Sequence, residues 1–341
     1  MKISALLLLL SLSIGASAQE PQIASLGDLR LQNGQTIRDC RIGYRTFGRL
    51  NAQRSNAVLF PTWFSGTTKD IAALVGPGKF IDSDQYYVIA VDALGDGVSS
   101  SPSNSVTQPR MQFPKFSIRD MVESQHELLT KHLGIRHLRV VMGISMGGMQ
   151  TFQWIAAYSD FMDFAIPIVG SPRLTSYDLL LWNAEAHAIE IDPGWKNGEY
   201  AKRPAGMRVV ADIHALALQT PDYWVEHTQR KNFDDALKQS EVKTETGFDC
   251  NNWLRQLQAM IGHDISETFG GNMSKAAEAV HAKLLVVPSR QDHMVNPHPA
   301  LDFAKLAHAQ VFELTDDCGH VAPGCNMARV GAAINKFLGR Q

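Results

Sequence analysis

Residues 138–149 read Leu-Arg-Val-Val-Met-Gly-Ile-Ser-Met-Gly-Gly-Met, so a G-x-S-x-G string (Gly143, Ile144, Ser145, Met146, Gly147) follows an apolar, β-branched run and opens a helix-like segment, 149–158. A strand that turns at once into a helix forces the serine into a strained backbone conformation. Small residues on both sides are then needed to keep neighbouring main chain from colliding. The string alone occurs by chance, but the strand before it and the helix after it are the context of a nucleophile elbow, which exposes a serine at the top of a sheet. An inert Gly-rich turn would not need that context.

The rest of the chain supplies the sheet. Short apolar runs recur at 57–60, 87–91, 138–142, 164–169 and 284–288, and runs of this kind suit strands buried on both faces of a parallel sheet. Helical spacing is clearest over 117–133, where Ile118, Met121, Val122, Gln125, Leu128, Leu129 and His132 fall mostly at i, i+3, i+4. Alternation of strand and helix defines an α/β class. An alternating segment, 40–47, and a hairpin signal at Asn33-Gly34 place further strands ahead of it. From 171 to 280 the strand-like runs stop. That stretch carries Trp182, Trp195, Trp224 and Trp253, with breaks at Asp192-Pro193-Gly194 and Thr220-Pro221. About 110 residues cannot form one structureless loop in a compact domain, so the segment is expected to be a helical insertion covering the sheet edge. The serine-rich 99–105 reads as a loop.

Charge and termini narrow the function. With 32 Lys+Arg against 34 Asp+Glu the net charge is −2, which lacks the basic surplus of a nucleic-acid binder, and 45% hydrophobic residues are enough for a sizeable core. Met1 and Lys2 precede an apolar run, 3–14, and Ala16-Ser17-Ala18. This is the pattern of a secretory signal, too short at about 12 apolar residues to span a bilayer. The expected organisation is a signal peptide at 1–18, a first core segment at 19–170, a lid at 171–280 and a second core segment at 281–341. The mature chain is expected to be periplasmic or secreted, with no membrane attachment after cleavage. Export permits disulfides among Cys40, Cys250, Cys318 and Cys325. No C-x-x-C occurs, and the pair flanking His320, Cys318 with Cys325, is expected to bond; Cys40 and Cys250 stay unassigned.

A serine hydroxyl needs a base, and the base needs a carboxylate to orient it. His320, in Cys318-Gly319-His320 after the strand-like 310–314, sits near the C-terminus where the base is expected, and Asp292 directly follows the run at 284–288. His293 is a rival base but is adjacent to Asp292, and Asp316 and Asp317 are rival acids. An oxyanion requires two backbone N–H donors, one just after the nucleophile and one on the loop after an earlier strand. Met146 fits the first; Phe64 or Trp63, in Pro61-Thr62-Trp63-Phe64-Ser65-Gly66-Thr67, fits the second.

Four stretches then resemble the homoserine O-acetyltransferase branch of the α/β-hydrolase superfamily. They are 44–51 with 55–59, 116–122 with 133–135, 143–150, and 192–200, in order and spanning most of the chain after residue 18. The resemblance implies an α/β-hydrolase fold, a mostly parallel central sheet flanked by helices with a helical lid. It also implies Ser145, Asp292 and His320 as triad and Phe64 with Met146 as oxyanion donors. Two departures matter. The family's lid arginine, in a G-L-x-x-A-R stretch, falls on Ala211 of Gly206-Met207-Arg208-Val209-Val210-Ala211, and the aspartate after its catalytic histidine falls on Val321. Losing both charges should weaken recognition of an amino-acid zwitterion by several kcal/mol, at about 2 kcal/mol or more per buried charge-assisted contact. Arg208 would lie on a different helical face. Trp63 and Val321 are expected to line the substrate pocket. The sequence therefore favours an exported serine hydrolase acting on a small-molecule ester or related acyl compound. An O-acyltransferase and a non-catalytic binding protein on the same scaffold are the alternatives. No metal or organic cofactor is expected, since Ser, His and Asp complete the chemistry, and a homodimer would form through the lid.

Overall fold

The computed structural model describes residues 20–339, and the expected signal peptide lies outside them. Eight strands form one sheet: β1 (Gln22–Arg30), β2 (Thr36–Phe47), β3 (Ala57–Pro61), β4 (Tyr87–Val91), β5 (Leu138–Ile144), β6 (Met162–Ile168), β7 (Lys283–Val286) and β8 (Gln310–Val311). Their order is β1-β2-β4-β3-β5-β6-β7-β8, antiparallel at β1/β2 and β2/β4 and parallel from there on. The division follows side-chain chemistry. Every residue of β3 is buried, as expected for a strand covered on both faces, whereas β1 is exposed at most positions and pairs at the margin.

Alternation along the parallel strands feeds two cores. Leu59, Ile89, Val141 and Ala165 point to one face, with Met149 and Phe152; Val58, Val88, Val140 and Ile166 point to the other, with Ile71, Val330 and Ile334. The flanking helices include α1 (Ile118–Glu127) and α2 (Met146–Ala157). The helix read over 117–133 changes pitch after Glu127, and Leu128–His132 form a wider π turn that keeps Leu128 and Leu129 inside. Such a turn leaves apolar spacing nearly intact, so periodicity does not mark it. Helix α2 starts at Met146, three residues earlier than its apolar pattern, because Gly147 and Gly148 carry no periodic side chain. The serine-rich 99–105 is a loop, but its first three residues are buried. Ser99 Oγ donates to Asp92 O at 2.6 Å and accepts from Gly43 N at 2.9 Å, and Ser101 Oγ donates to Ser99 O at 2.5 Å.

Between β6 and β7 run α3 (Ser176–Glu190), α4 (Gly206–Leu218), α5 (Pro221–His227), α6 (Phe233–Gly247) and α7 (Cys250–Ile261). Helix α3 packs on α4 and α7, and α4 on α6. This insertion covers the C-terminal ends of the strands rather than the sheet's lateral edge: the chain enters it from the C-terminal end of β6, and its Ala211 and Trp253 line one cleft with Ser145 at the end of β5. Helix α7 is seated on the core by polar as well as apolar contacts: Arg255 Nε donates to Phe113 O at 3.0 Å and Gln256 Nε2 to Leu94 O at 3.1 Å. Cys318 and Cys325 are bonded, while Cys40 and Cys250 are free and buried. Among the described residues no helix is long and apolar enough to cross a membrane.

Candidate active site

Ser145 stands between β5 and α2 with φ 57° and ψ −120°, a conformation that L-residues avoid unless the surroundings enforce it. The enforcement is main chain against main chain. A Cβ on Gly143 would meet Gly147 O at 2.2 Å, and one on Gly147 would meet Pro61 O at 2.7 Å. Ser145 N donates to Ile168 O at 2.9 Å, which ties the turn to β6. These contacts explain why the string needs glycine at both of its outer positions.

His320 reaches the serine from a short turn, Gly319–Val321, beyond β8. Ser145 Oγ–H faces His320 Nε2 at 2.8 Å, and His320 Nδ1–H donates to Asp292 Oδ2 at 2.7 Å. Asp292 follows β7, and its Oδ1 accepts from Met294 N and Val295 N at 2.8 Å each. The acid is therefore held by its own loop and has one oxygen left for the imidazole. All three residues are buried. The structure does not bring the rivals into this chain. Asp316 is occupied by Cys318 N at 3.2 Å and Asn326 Nδ2 at 2.6 Å, and Asp317 offers its carbonyl to Thr220 Oγ1–H at 2.6 Å. His293 is partly exposed beside the buried Asp292.

Two further features were not read from the sequence. Asp178, at the third position of α3, closes a capping box with Thr175 and accepts from Asn296 N at 2.9 Å, so the start of the lid braces the Asp292 loop. Burial holds its carboxyl above the ordinary range against the hydrogen bonds from Thr175 and Asn296. The pattern Thr175-x-x-Asp178 was a visible capping signal, but nothing local tied it to residue 296. The second feature lies beneath the loop after β3. Asp92 accepts from Thr68 N at 2.7 Å and Thr68 Oγ1 at 2.9 Å, and Thr62 Oγ1 accepts from Ala93 N at 2.9 Å. Asp96 is buried beside Asp92, and its Oδ2 receives no donor among the described groups. Burial, then the neighbouring Asp92 charge, holds the Asp96 carboxyl well above the usual range.

That framework fixes the loop carrying Trp63 and Phe64. Ser65 N is taken by Gln256 Oε1 at 3.0 Å, while neither the Trp63 nor the Phe64 amide has an acceptor among the described residues. Met146 N, in the first position of α2, has no acceptor within its own helix. Trp63, Phe64, Ser145, Ala211, His320 and Val321 line one cleft of about 840 Å³ beneath the lid. Arg208 is turned outward and pairs with Glu241 at 2.9 Å. The cleft wall is aromatic: the Phe64 ring packs edge-on against Trp253 at 4.6 Å and near Trp182 at 6.0 Å. One cluster has donors of metal-binding type, Asp316, Asp317 and Cys318, but Cys318 is committed to the disulfide and Asp316 to its loop.

A serine on a strained elbow, an imidazole, a carboxylate and unclaimed amides above a parallel sheet define an enzyme of the α/β-hydrolase class. The chain belongs to the α/β-hydrolase fold family, whose model matches residues 78–323. It is 33% identical over 301 residues to the ethyl acetate hydrolase of Pseudomonas veronii, covering 84% of each chain. It is 28% identical over 327 residues to a homoserine O-acetyltransferase of Trichormus variabilis, covering 90% of each. Among solved structures, the acetyl esterase MekB superposes with a TM-score of 0.88 at 29% identity, over 94% of this chain and 97% of that one. The family thus holds both esterases and acyltransferases closely similar to this chain, and it is an enzyme of that group.

Proposed function

We propose that the protein is an exported serine hydrolase that cleaves a small carboxylic ester through an acyl-enzyme on Ser145. The continuous hydrogen-bonded chain Ser145–His320–Asp292 carries this reading. His320 Nε2 takes the hydroxyl proton as Ser145 Oγ forms a bond to the ester carbonyl carbon, while Asp292 keeps the imidazole in the tautomer whose Nε2 is the acceptor. The oxyanion faces the amides of Met146 and Phe64. Collapse breaks the C–O bond to the alcohol, which leaves with the proton from His320. Water then adds to the acyl carbon with His320 again as base, and collapse releases the acid and restores Ser145.

Hydrolysis is preferred over transfer to an amino acid because the cleft offers no fixed cation or carboxylate at the two positions where the acetyltransferases resemble one another. Ala211 and Val321 stand there, and Arg208 points away. Export rests on the N-terminal pattern and is supported by the Cys318–Cys325 bond, which persists in oxidising compartments. The acyltransferase reading is kept because relatives of that activity cover nine-tenths of the chain. The test gives purified, unlabelled protein acetyl-CoA with homoserine beside a short-chain aryl ester, while a separate aliquot is treated with a fluorophosphonate to show that Ser145 is the nucleophile. Ester turnover that dominates in kcat/KM supports the hydrolase; O-acetylhomoserine formation exceeding it would reverse the assignment.

A further inference from the structure

The cleft contains a second carboxylate–imidazole pair that the reaction above does not use. Glu185 of α3 is fully buried, and its Oε1 accepts from His214 Nδ1–H at 3.1 Å while its Oε2 accepts from Trp253 Nε1–H at 3.0 Å. A carboxylate only accepts, so the ring nitrogen facing it carries the hydrogen, and Nε2 on the other side of a neutral ring is left as an acceptor. His214 lines the cleft that contains Ser145, and its Nε2 has no partner among the described residues. Trp182 lines the same cleft; it is 1% exposed, and its Nε1–H is buried without an acceptor. The two rings are neighbours, with centroids 6.3 Å apart, and both lie about 6 Å from the Phe64 ring.

A box meant only to hold an aliphatic chain would not bury a carboxylate to fix an imidazole in its wall. A fixed acceptor in an otherwise aromatic wall matches a substrate group that donates a hydrogen bond. We propose that His214, held by Glu185, forms a subsite for a hydroxyl group carried by the substrate, so that the preferred esters bear a free hydroxyl a few bonds from the ester linkage. The hydroxyl donates to His214 Nε2, which completes the hydrogen bonding of the imidazole. Neither residue takes part in bond making; they position the ester and set specificity. The inference rests on the ester-hydrolase reading and adds the substrate class to it.

The experiment compares isosteric pairs on the full protein: 2-hydroxyethyl acetate against propyl acetate, which places the hydroxyl on the alcohol side, and ethyl glycolate against ethyl propanoate, which places it on the acyl side. At least one hydroxylated ester should exceed its partner in kcat/KM by about tenfold or more, since a site built to bond a hydroxyl discriminates strongly against the analogue lacking it. In His214→Phe and in Glu185→Gln that ratio should fall toward one, whatever happens to absolute rates, and His214→Gln should restore part of it. A loss of lid packing alone would lower both members of a pair together, so the ratio separates recognition from structure. The wild-type ratios need no variant to fold. Ratios near one in the wild type, with all four esters turned over, would overturn the subsite and leave the hydrolase standing. A ratio that survives both substitutions would also overturn it. No turnover of any ester by unlabelled protein, when a separate aliquot does react with a fluorophosphonate at Ser145, would remove the hydrolase reading and this inference with it.

Discussion

The elbow and the lid are built on opposite rules. Around Ser145 the geometry is set by backbone against backbone: added Cβ atoms at Gly143, Gly147 and Gly148 would meet carbonyl oxygens at 2.2, 2.7 and 2.9 Å. In the lid, position is set by side chains and a few polar ties. Helix α5 buries none of its residues, and Leu216 and Val225 are 75% and 79% exposed. A main-chain lattice has little room to vary, whereas side-chain packing accepts exchange at the level of about 1 kcal/mol. On the proposed reading the sheet end holds the chemistry, and the insertion, with Ala211 and His214, is where specificity is set.

The largest expected effect tests the first half of that contrast. Ser145→Ala should lower kcat/KM for a short ester by about three to six orders of magnitude and leave the thermal midpoint nearly unchanged, because the hydroxyl makes one hydrogen bond and the elbow is held by others. Asp292→Asn should cost about 10⁴ in kcat by spoiling the tautomer. The Met294 and Val295 amides still have an oxygen to bond, so circular dichroism and the midpoint should stay close to wild type. Activity of either variant within tenfold of wild type would show that the Ser145–His320–Asp292 chain is a structural feature only.

The sheet end was legible because its demands are local. Glycines flank Ser145 in sequence, apolar runs mark β3 to β6, and Asp292 and His320 lie just after strands, where the loops above a parallel sheet begin. The lid was legible only as an insertion. Glu185 meets His214 and Trp253 across three helices, and Asp178 meets Asn296 across 118 residues, contacts that no spacing rule encodes. The 99–105 loop misled in the other direction. Serines usually signal a solvated surface, yet here Ser99 and Ser101 are buried and bonded to main chain, and that depends on a β2–β4 pairing set elsewhere.

The seam between the two regions gives the intermediate effects. Cys318 and Cys325 close a short loop around His320, and Thr220, the N-cap of α5, bonds to Asp317 O at the start of that loop. Replacing both cysteines by serine should lower stability by about 2–3 kcal/mol on a chain-entropy account. It should also lower kcat more than it raises KM, since what loosens is the base and not the pocket. Thr220→Val removes the tie from the lid side and should cost about 1 kcal/mol in urea unfolding. If either change shifted KM alone, the His320 loop would belong functionally to the lid rather than to the sheet end.

The smallest effect concerns the rigid half itself, where burial does not stabilise uniformly. Asp96 is buried beside Asp92, and its carboxyl is held well above the ordinary range by burial first and by the neighbouring charge second. Above the unfolded value, near pH 4, the folded chain keeps a proton that the unfolded chain has released. By linkage, stability then falls as pH rises toward the folded value, at most about 1.4 kcal/mol per pH unit for one proton. Asp96→Asn replaces the protonated acid with a neutral isostere that has nothing to release. Its stability measured by urea unfolding between pH 5 and 9 should therefore decline less than that of the wild type, with the two curves separating as pH rises. Parallel curves would mean that the Asp92–Asp96 pair ionises freely. The loop carrying Trp63 and Phe64 would then rest on two charged acids rather than on one charged and one protonated.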